Sequence, residues 1–128
     1  DVAVEPVPAG SGGSVSDRRK ATARAVQRAL GESVKVRYRP DGRPELDGVR
    51  RLSAAHGPGM TLGVVGTTTV ACDIEAVTAR GAQAWEGLLG EHGNLAALVA
   101  KETGETPDHA ATRVWTAVEC LKKAGLPA

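Results

Sequence analysis

Apolar residues recur at three- and four-residue steps through Ala21, Ala25, Val26, Ala29 and Leu30, with Ser16 or Asp17 ahead of them to cap and Gly31 behind them to stop. This predicts a helix running to about residue 30. Residues 34–38 then alternate as Val-Lys-Val-Arg-Tyr, the pattern of a half-buried strand, and Arg-Pro-Asp-Gly-Arg-Pro (39–44) reads as a turn. Residues 51–55, 60–66 and 70–75 are further short strands, separated by Gly57-Pro58-Gly59 and Thr67-Thr68-Thr69. The spacing predicts a small antiparallel sheet of three or four strands. Beyond Arg80 the period becomes helical, over 83–89, 94–101 and a long segment from Pro107 or Asp108 to residue 124, stopped by Gly125 and Pro127. In that last helix Ala111, Val114, Trp115, Val118 and Leu121 share a face. The expected class is α+β, a small antiparallel sheet packed against helices, without internal repeats.

Composition narrows this further. The 128 residues suffice for one domain, but Phe is absent and Trp85, Trp115 and Tyr38 are the only aromatic residues, so the core must be built from Ala, Val and Leu. The opening residues 1–15, with Glu-Pro-Val-Pro-Ala-Gly-Ser-Gly-Gly-Ser at 5–14, read as a flexible linker ahead of a domain over 16–128, as in a piece of something longer. No apolar run approaches the roughly eighteen residues of a membrane span and no signal-peptide core is visible, which points to a cytoplasmic protein without membrane partners. Cys72 and Cys120 lie in apolar stretches far apart in sequence, as reduced buried thiols do. His92 and His109 read as exposed helix-end residues.

Charge is segregated along the chain. Residues 16–51 hold eleven Lys/Arg against five Asp/Glu, whereas residues 73–119 hold three against eight. A basic half followed by an acidic half suits a ligand bearing phosphates together with a divalent cation, and it equally describes two solvated faces. Within the acidic half, Val-Ala-Cys-Asp-Ile-Glu (70–75) places Asp73 and Glu75 two apart. In a strand they present their carboxylates side by side while Cys72 and Ile74 face the core. In the last helix Glu119 and Lys123 are one turn apart, which adds a third carboxylate and an ammonium. A hard cation and the phosphate it holds fit between such groups. Taken singly, an Asp-x-Glu pair is a solvated loop edge and a Glu with Lys four residues on is a surface ion pair. The joint occurrence carries the reading.

Four segments in order resemble the 4′-phosphopantetheinyl transferases: Asp-Gly-Arg-Pro-Glu-Leu (41–46), Leu-Ser-Ala-Ala-His-Gly (52–57), Asp-Ile-Glu (73–75) and Trp-Thr-Ala-Val-Glu-Cys-Leu-Lys-Lys (115–123). The wording of 119–125 and the Ala/Gly/Arg-rich composition look most like the transferase domains at the C-terminus of iterative, enediyne-type polyketide synthases. Val118, Ala55 and Ala71 stand where the family usually has Lys, Ser and Gly, and the family continues into further strands beyond the last helix. The resemblance implies transfer of the phosphopantetheine arm of coenzyme A to a serine of an acyl carrier protein domain, leaving adenosine 3′,5′-bisphosphate. It implies Mg²⁺ held by Asp73, Glu75 and Glu119, with Glu119, directly or through a water, as the base and Lys123 on a phosphate oxygen. It further implies His56 on the 3′-phosphate of coenzyme A, Arg43 supporting the nucleotide, and Arg18 and Arg19 near the same phosphate. Short members of the family act as trimers, so self-association is a further expectation. The rival readings are a carrier-docking or scaffold domain of a polyketide synthase without turnover, and a nucleic-acid module built on the basic first helix. The scarcity of aromatics and the lack of a helix-turn-helix or zinc pattern argue against the second.

Overall fold

The computed structural model describes residues 1–6 and 13–128. In chain order the elements are β1 (Val2–Pro6), α1 (Val15–Leu30), β2 (Arg37–Tyr38), β3 (Pro44–Glu45), β4 (Arg51–Gly57), β5 (Met60–Gly66), α2 (Ala82–Leu89), a 3₁₀ turn (Gly90–His92), α3 (Gly93–Thr103) and α4 (Pro107–Lys123). The class is α+β, with an antiparallel sheet ordered β1-β5-β4 and a separate two-stranded hairpin of β2 and β3.

Helix α1 begins at Ser14, whose hydroxyl oxygen accepts the Asp17 N–H at 3.0 Å, two residues before the earliest predicted cap. It ends at Gly31, which takes the left-handed φ of 75° that closes a helix. Ala21, Thr22, Ala25 and Val26 form its buried face. They pack on the sheet through very small side chains: a Cβ added to Gly63 of β5 would lie 3.1 Å from that of Ala25. Val26, Leu46 and Val65 then make a first core, flanked by Leu30, Val34, Val36 and Leu52.

Two expectations are corrected by the strand pattern. The predicted linker over 1–15 contains β1, because the alternation Val2-Ala3-Val4-Glu5 turns Ala3 and Glu5 toward α1. There Arg24 and Arg28 reach the Glu5 carboxylate at 3.0 and 2.9 Å, so a buried acid is paired on both oxygens. Residues 7–12, the centre of the predicted linker, lie outside the described residues. The predicted strand over 70–75 forms no ladder. Both backbone polar groups of Cys72 are instead taken by side chains: its N–H donates to Ser53 Oγ at 3.1 Å and its carbonyl accepts Lys123 Nζ at 3.0 Å.

The helical half has its own core of Trp85, Leu89, Ala96, Ala111 and Val114, with Trp115 packed edge-to-face on Trp85 at 6.2 Å. Asp108 accepts the Trp85 indole N–H at 2.8 Å and the Arg80 backbone N–H at 2.9 Å, tying the connection before α2 to the first turn of α4. Thr106 caps α4 by accepting the His109 N–H, with Pro107 at the first helical position, where its missing N–H costs nothing. None of the helices among the described residues is long and apolar enough to cross a membrane.

Candidate functional site

Segment 70–75 lies over the face of the sheet opposite α1. Cys72 points inward, its Sγ 3.7 Å from both Ser53 Oγ and the Leu62 carbonyl. Ile74 points inward as well, onto Gly57, where any Cβ would overlap its Cγ2. The alternate residues Asp73 and Glu75 therefore turn toward α4, side by side, as the alternation predicts even though no strand forms. Both cysteines are free thiols, Cys72 buried and Cys120 half-buried, and burial pushes each above the ordinary thiol range.

Asp73 is the most constrained of the acids. Its side chain is only 10% exposed, and Oδ1 lies 3.3 Å from Lys123 Nζ. Its Oδ2 is buried without a hydrogen-bond partner. Glu75 beside it is raised above the usual carboxylate range by burial first, then by its hydrogen bond to Asp73 and by the charges of Asp73 and Glu119, with Lys123 acting the other way. Two adjacent carboxyls whose charges oppose each other in this way have the donor set of a hard-cation site, since a divalent cation relieves the same repulsion.

Glu119 and Lys123 do not act as a pair. Glu119 accepts from Lys122 Nζ at 3.2 Å, while Lys123 turns to Asp73 and the Cys72 carbonyl. The three predicted metal carboxylates are neighbours, yet among the described residues no three His, Cys, Asp or Glu side chains converge as a ready metal cage. Glu119 acts on Glu75 through its charge but is bonded to Lys122. Its approach requires exchanging Lys122, a half-exposed partner of the kind that contributes little.

The remaining predicted residues fall in two places. His56 alternates to the α1 side of β4, where its Nδ1 lies 2.9 Å from Thr61 Oγ1. Burial, then the charges of Arg18 and Lys123, hold its pKa below the ordinary histidine value, so it is neutral at pH 7. Arg18 is thus close to His56, whereas Arg19 stacks on the Tyr38 ring at 4.1 Å. Arg43 follows the turn closed by the Arg39 and Arg43 backbones and by Asp41 Oδ1, which accepts the Arg43 N–H at 2.9 Å. It lines a cavity of about 540 Å³ between the β2–β3 hairpin, β4 and the end of α4.

That cavity is strongly basic. Arg37, Arg39, Arg43, Arg50, Arg51 and Lys123 line it, against Glu45 as the lining carboxylate. Its volume is that of a small-molecule pocket. Arg37, Arg39, Arg50 and Arg51 were not among the residues expected at the site. The excess of basic residues over 16–51 was their signal, but charge counts do not say which arginines the hairpin and β4 bring to one wall. Lys123 belongs to both features, lining the cavity and holding Asp73, so the arginine-lined cavity ends at the carboxyl pair. No family model matches the chain, and no match was found among curated proteins.

Proposed function

We propose that this domain transfers the phosphopantetheine arm of coenzyme A to a serine of an acyl carrier protein domain, on a fold of the 4′-phosphopantetheinyl transferase type. The observation that carries the reading is the junction at Lys123, where a cavity walled by arginines meets a buried aspartate with one oxygen unsatisfied. A nucleotide pyrophosphate needs cations along its length and a hard metal at the reacting phosphorus, and this junction supports both.

Asp73 and Glu75, joined by Glu119, are the residues that would hold Mg²⁺. Bound there, it would supply charge neutralisation to the pyrophosphate oxygens. Lys123 Nζ, already fixed by Asp73 and the Cys72 carbonyl, is placed to hold a phosphate oxygen as a compact cation. The carrier serine oxygen bonds to the phosphorus that bears the pantetheine arm. The bond from that phosphorus to the bridging oxygen breaks, and its electron pair leaves with adenosine 3′,5′-bisphosphate. Glu119, about one-third exposed, is the group open enough to take the serine proton. Arg43 supports the nucleotide from the hairpin turn.

Intact-mass spectrometry of an apo acyl carrier domain, incubated with the protein, coenzyme A and Mg²⁺, tests this. The expected result is a mass gain equal to one phosphopantetheine arm that disappears with EDTA. No gain on a carrier that another transferase loads would overturn the reading in favour of a docking domain without turnover.

A further inference from the structure

Segment 70–75 has no ladder, so its position depends on what lies beneath it on the sheet. Ser53 and Gly57 of β4 share the face opposite α1 with Gly66 of β5, because Gly66 pairs with Arg51 and cross-strand partners take the same side of a sheet. These three residues meet the segment in turn. Val70 lies over Gly66, where an added Cβ would come within 2.9 Å of its Cγ1. The Cys72 N–H donates to Ser53 Oγ at 3.1 Å, and Ile74 lies over Gly57. The segment thus runs along a trough of small residues, and of the three only Ser53 offers it a polar side chain.

The apolar and polar contacts constrain different things. Alternation along 70–75 decides which side chains face the sheet, and a slip of two residues satisfies it equally well. Such a slip keeps the carboxylates turned to α4 but carries Asp73 off Lys123. Burial of Val70 and Ile74 is non-directional, and the glycines beneath them have no side chains to interlock with. A hydrogen bond to one particular N–H is directional and is lost in any slip. Lys123 also holds Cys72, through its carbonyl at 3.0 Å, but an ammonium on a flexible four-carbon stem can follow a moving acceptor. The Ser53 hydroxyl, on a short side chain of a paired strand, has no such reach.

We infer that Ser53 is the positioning residue of the site: by holding the Cys72 N–H it fixes where segment 70–75 sits along the sheet, and so places the adjoining Asp73 for a hard cation. The role rests on the proposed transferase reading for its part in turnover, and its effect on the cation is measurable without turnover.

Manganese(II), a cation that carboxylate ligands suit as they do Mg²⁺, is read directly by electron paramagnetic resonance and is titrated into wild type, Ser53→Ala and Val70→Ala. Val70→Ala removes an apolar contact of the same segment and leaves the hydrogen bond in place, so it shows what loosening alone does. Ser53→Ala is expected to weaken Mn²⁺ binding about 10- to 100-fold, the scale for partners that orient a metal ligand, and to remove the exchange protection of the Cys72 amide. Val70→Ala should bind Mn²⁺ much as wild type does. In carrier loading, Ser53→Ala should raise the Mg²⁺ requirement and leave the KM for coenzyme A unchanged. Ser53→Ala that binds Mn²⁺ as wild type does, or Val70→Ala that weakens it as much, overturns the positioning role. Wild type that binds no Mn²⁺ overturns the metal site and this role together. Wild type that binds Mn²⁺ with the expected loss in Ser53→Ala, yet leaves a carrier unloaded, overturns the transferase reading alone.

Discussion

Asp73 is unfavourable for folding and, on the proposed reading, useful for chemistry. Its carboxylate is nine-tenths buried with one oxygen unsatisfied, a state that costs about 1–3 kcal/mol in a folded protein. Asp73→Asn keeps the shape and removes the charge, so the metal-free protein should unfold at the same or a higher temperature while phosphopantetheine transfer drops about 100-fold or more, beyond the usual cost of disturbing a metal site's surroundings. Wild-type turnover in this variant would remove Asp73 from the site. Glu75 makes the complementary pH prediction. Its folded pKa lies above the ordinary 4.5, so the protonated form is favoured by folding, and that stabilisation is complete below pH 4.5 and lost as pH rises through the folded pKa. The melting temperature of metal-free wild type should therefore carry a downward contribution on the alkaline side of 4.5 that is absent from Glu75→Gln. Mg²⁺ should restore stability there and release a proton, measurable in buffers of different ionisation enthalpy. Superimposable melting profiles for the two proteins would show that folding leaves the Glu75 carboxyl at its ordinary pKa.

Two segments, 70–75 and β1, account for most of the distance between the sequence and the fold, for different reasons. In 70–75 the alternation correctly gives the facing of all four residues, Cys72 and Ile74 inward and Asp73 and Glu75 outward. The hydrogen bonding is not legible, since the groups that replace the ladder, Ser53 Oγ and Lys123 Nζ, come from elements 19 and 51 residues away. In β1 the strand pattern is only four alternating residues long and runs into glycine and proline, so composition outweighs period. Its stability comes from long-range pairing with β5 and from the Arg24 and Arg28 contacts to Glu5. The helices were legible to within a residue or two because their period, caps and stops are local. At the site, Asp73, Glu75 and Lys123 were legible through motif spacing, whereas the separate placement of His56 and the basic wall around Arg51 depend on which face of β4 each residue takes. Gly57 links this element to function: Gly57→Ala forces the Ile74 side chain, and with it the carboxyl pair, off the sheet. It should cost about 1–3 kcal/mol in stability, the scale of overpacking, and lower transfer by more than the loss of folded protein explains. Unaltered melting and turnover would mean that the segment shifts without disturbing Asp73.

At the scale of the whole molecule, the fold contains two apolar clusters among the described residues, one under the sheet around Val26 and Val65 and one among the helices around Trp85 and Val114. Helix α4 connects the two because its first half packs in the helical cluster while its last turn delivers Lys123 to segment 70–75. Lys123 itself is partly exposed while Asp73 is buried, and because both Lys123 contacts converge on segment 70–75 their main effect should be on local order there. Lys123→Met retains the aliphatic stem and removes both the Asp73 pairing and the donor to the Cys72 carbonyl. Global stability is expected to fall by about 1–3 kcal/mol, since the buried Asp73 carboxylate loses its cation and the Cys72 carbonyl its donor. Amide exchange over 70–76 should accelerate well beyond that of β4, β5 and the Trp85 cluster, and the near-ultraviolet signal of the two tryptophans should be unchanged. Added Mg²⁺ should slow that exchange in wild type and much less in Lys123→Met, because a segment no longer held against α4 spends less time with its carboxyls placed for the cation. Exchange that accelerates evenly across both clusters would mean instead that Lys123 is a general strut of the fold, and that the order of the carboxyl pair does not depend on it.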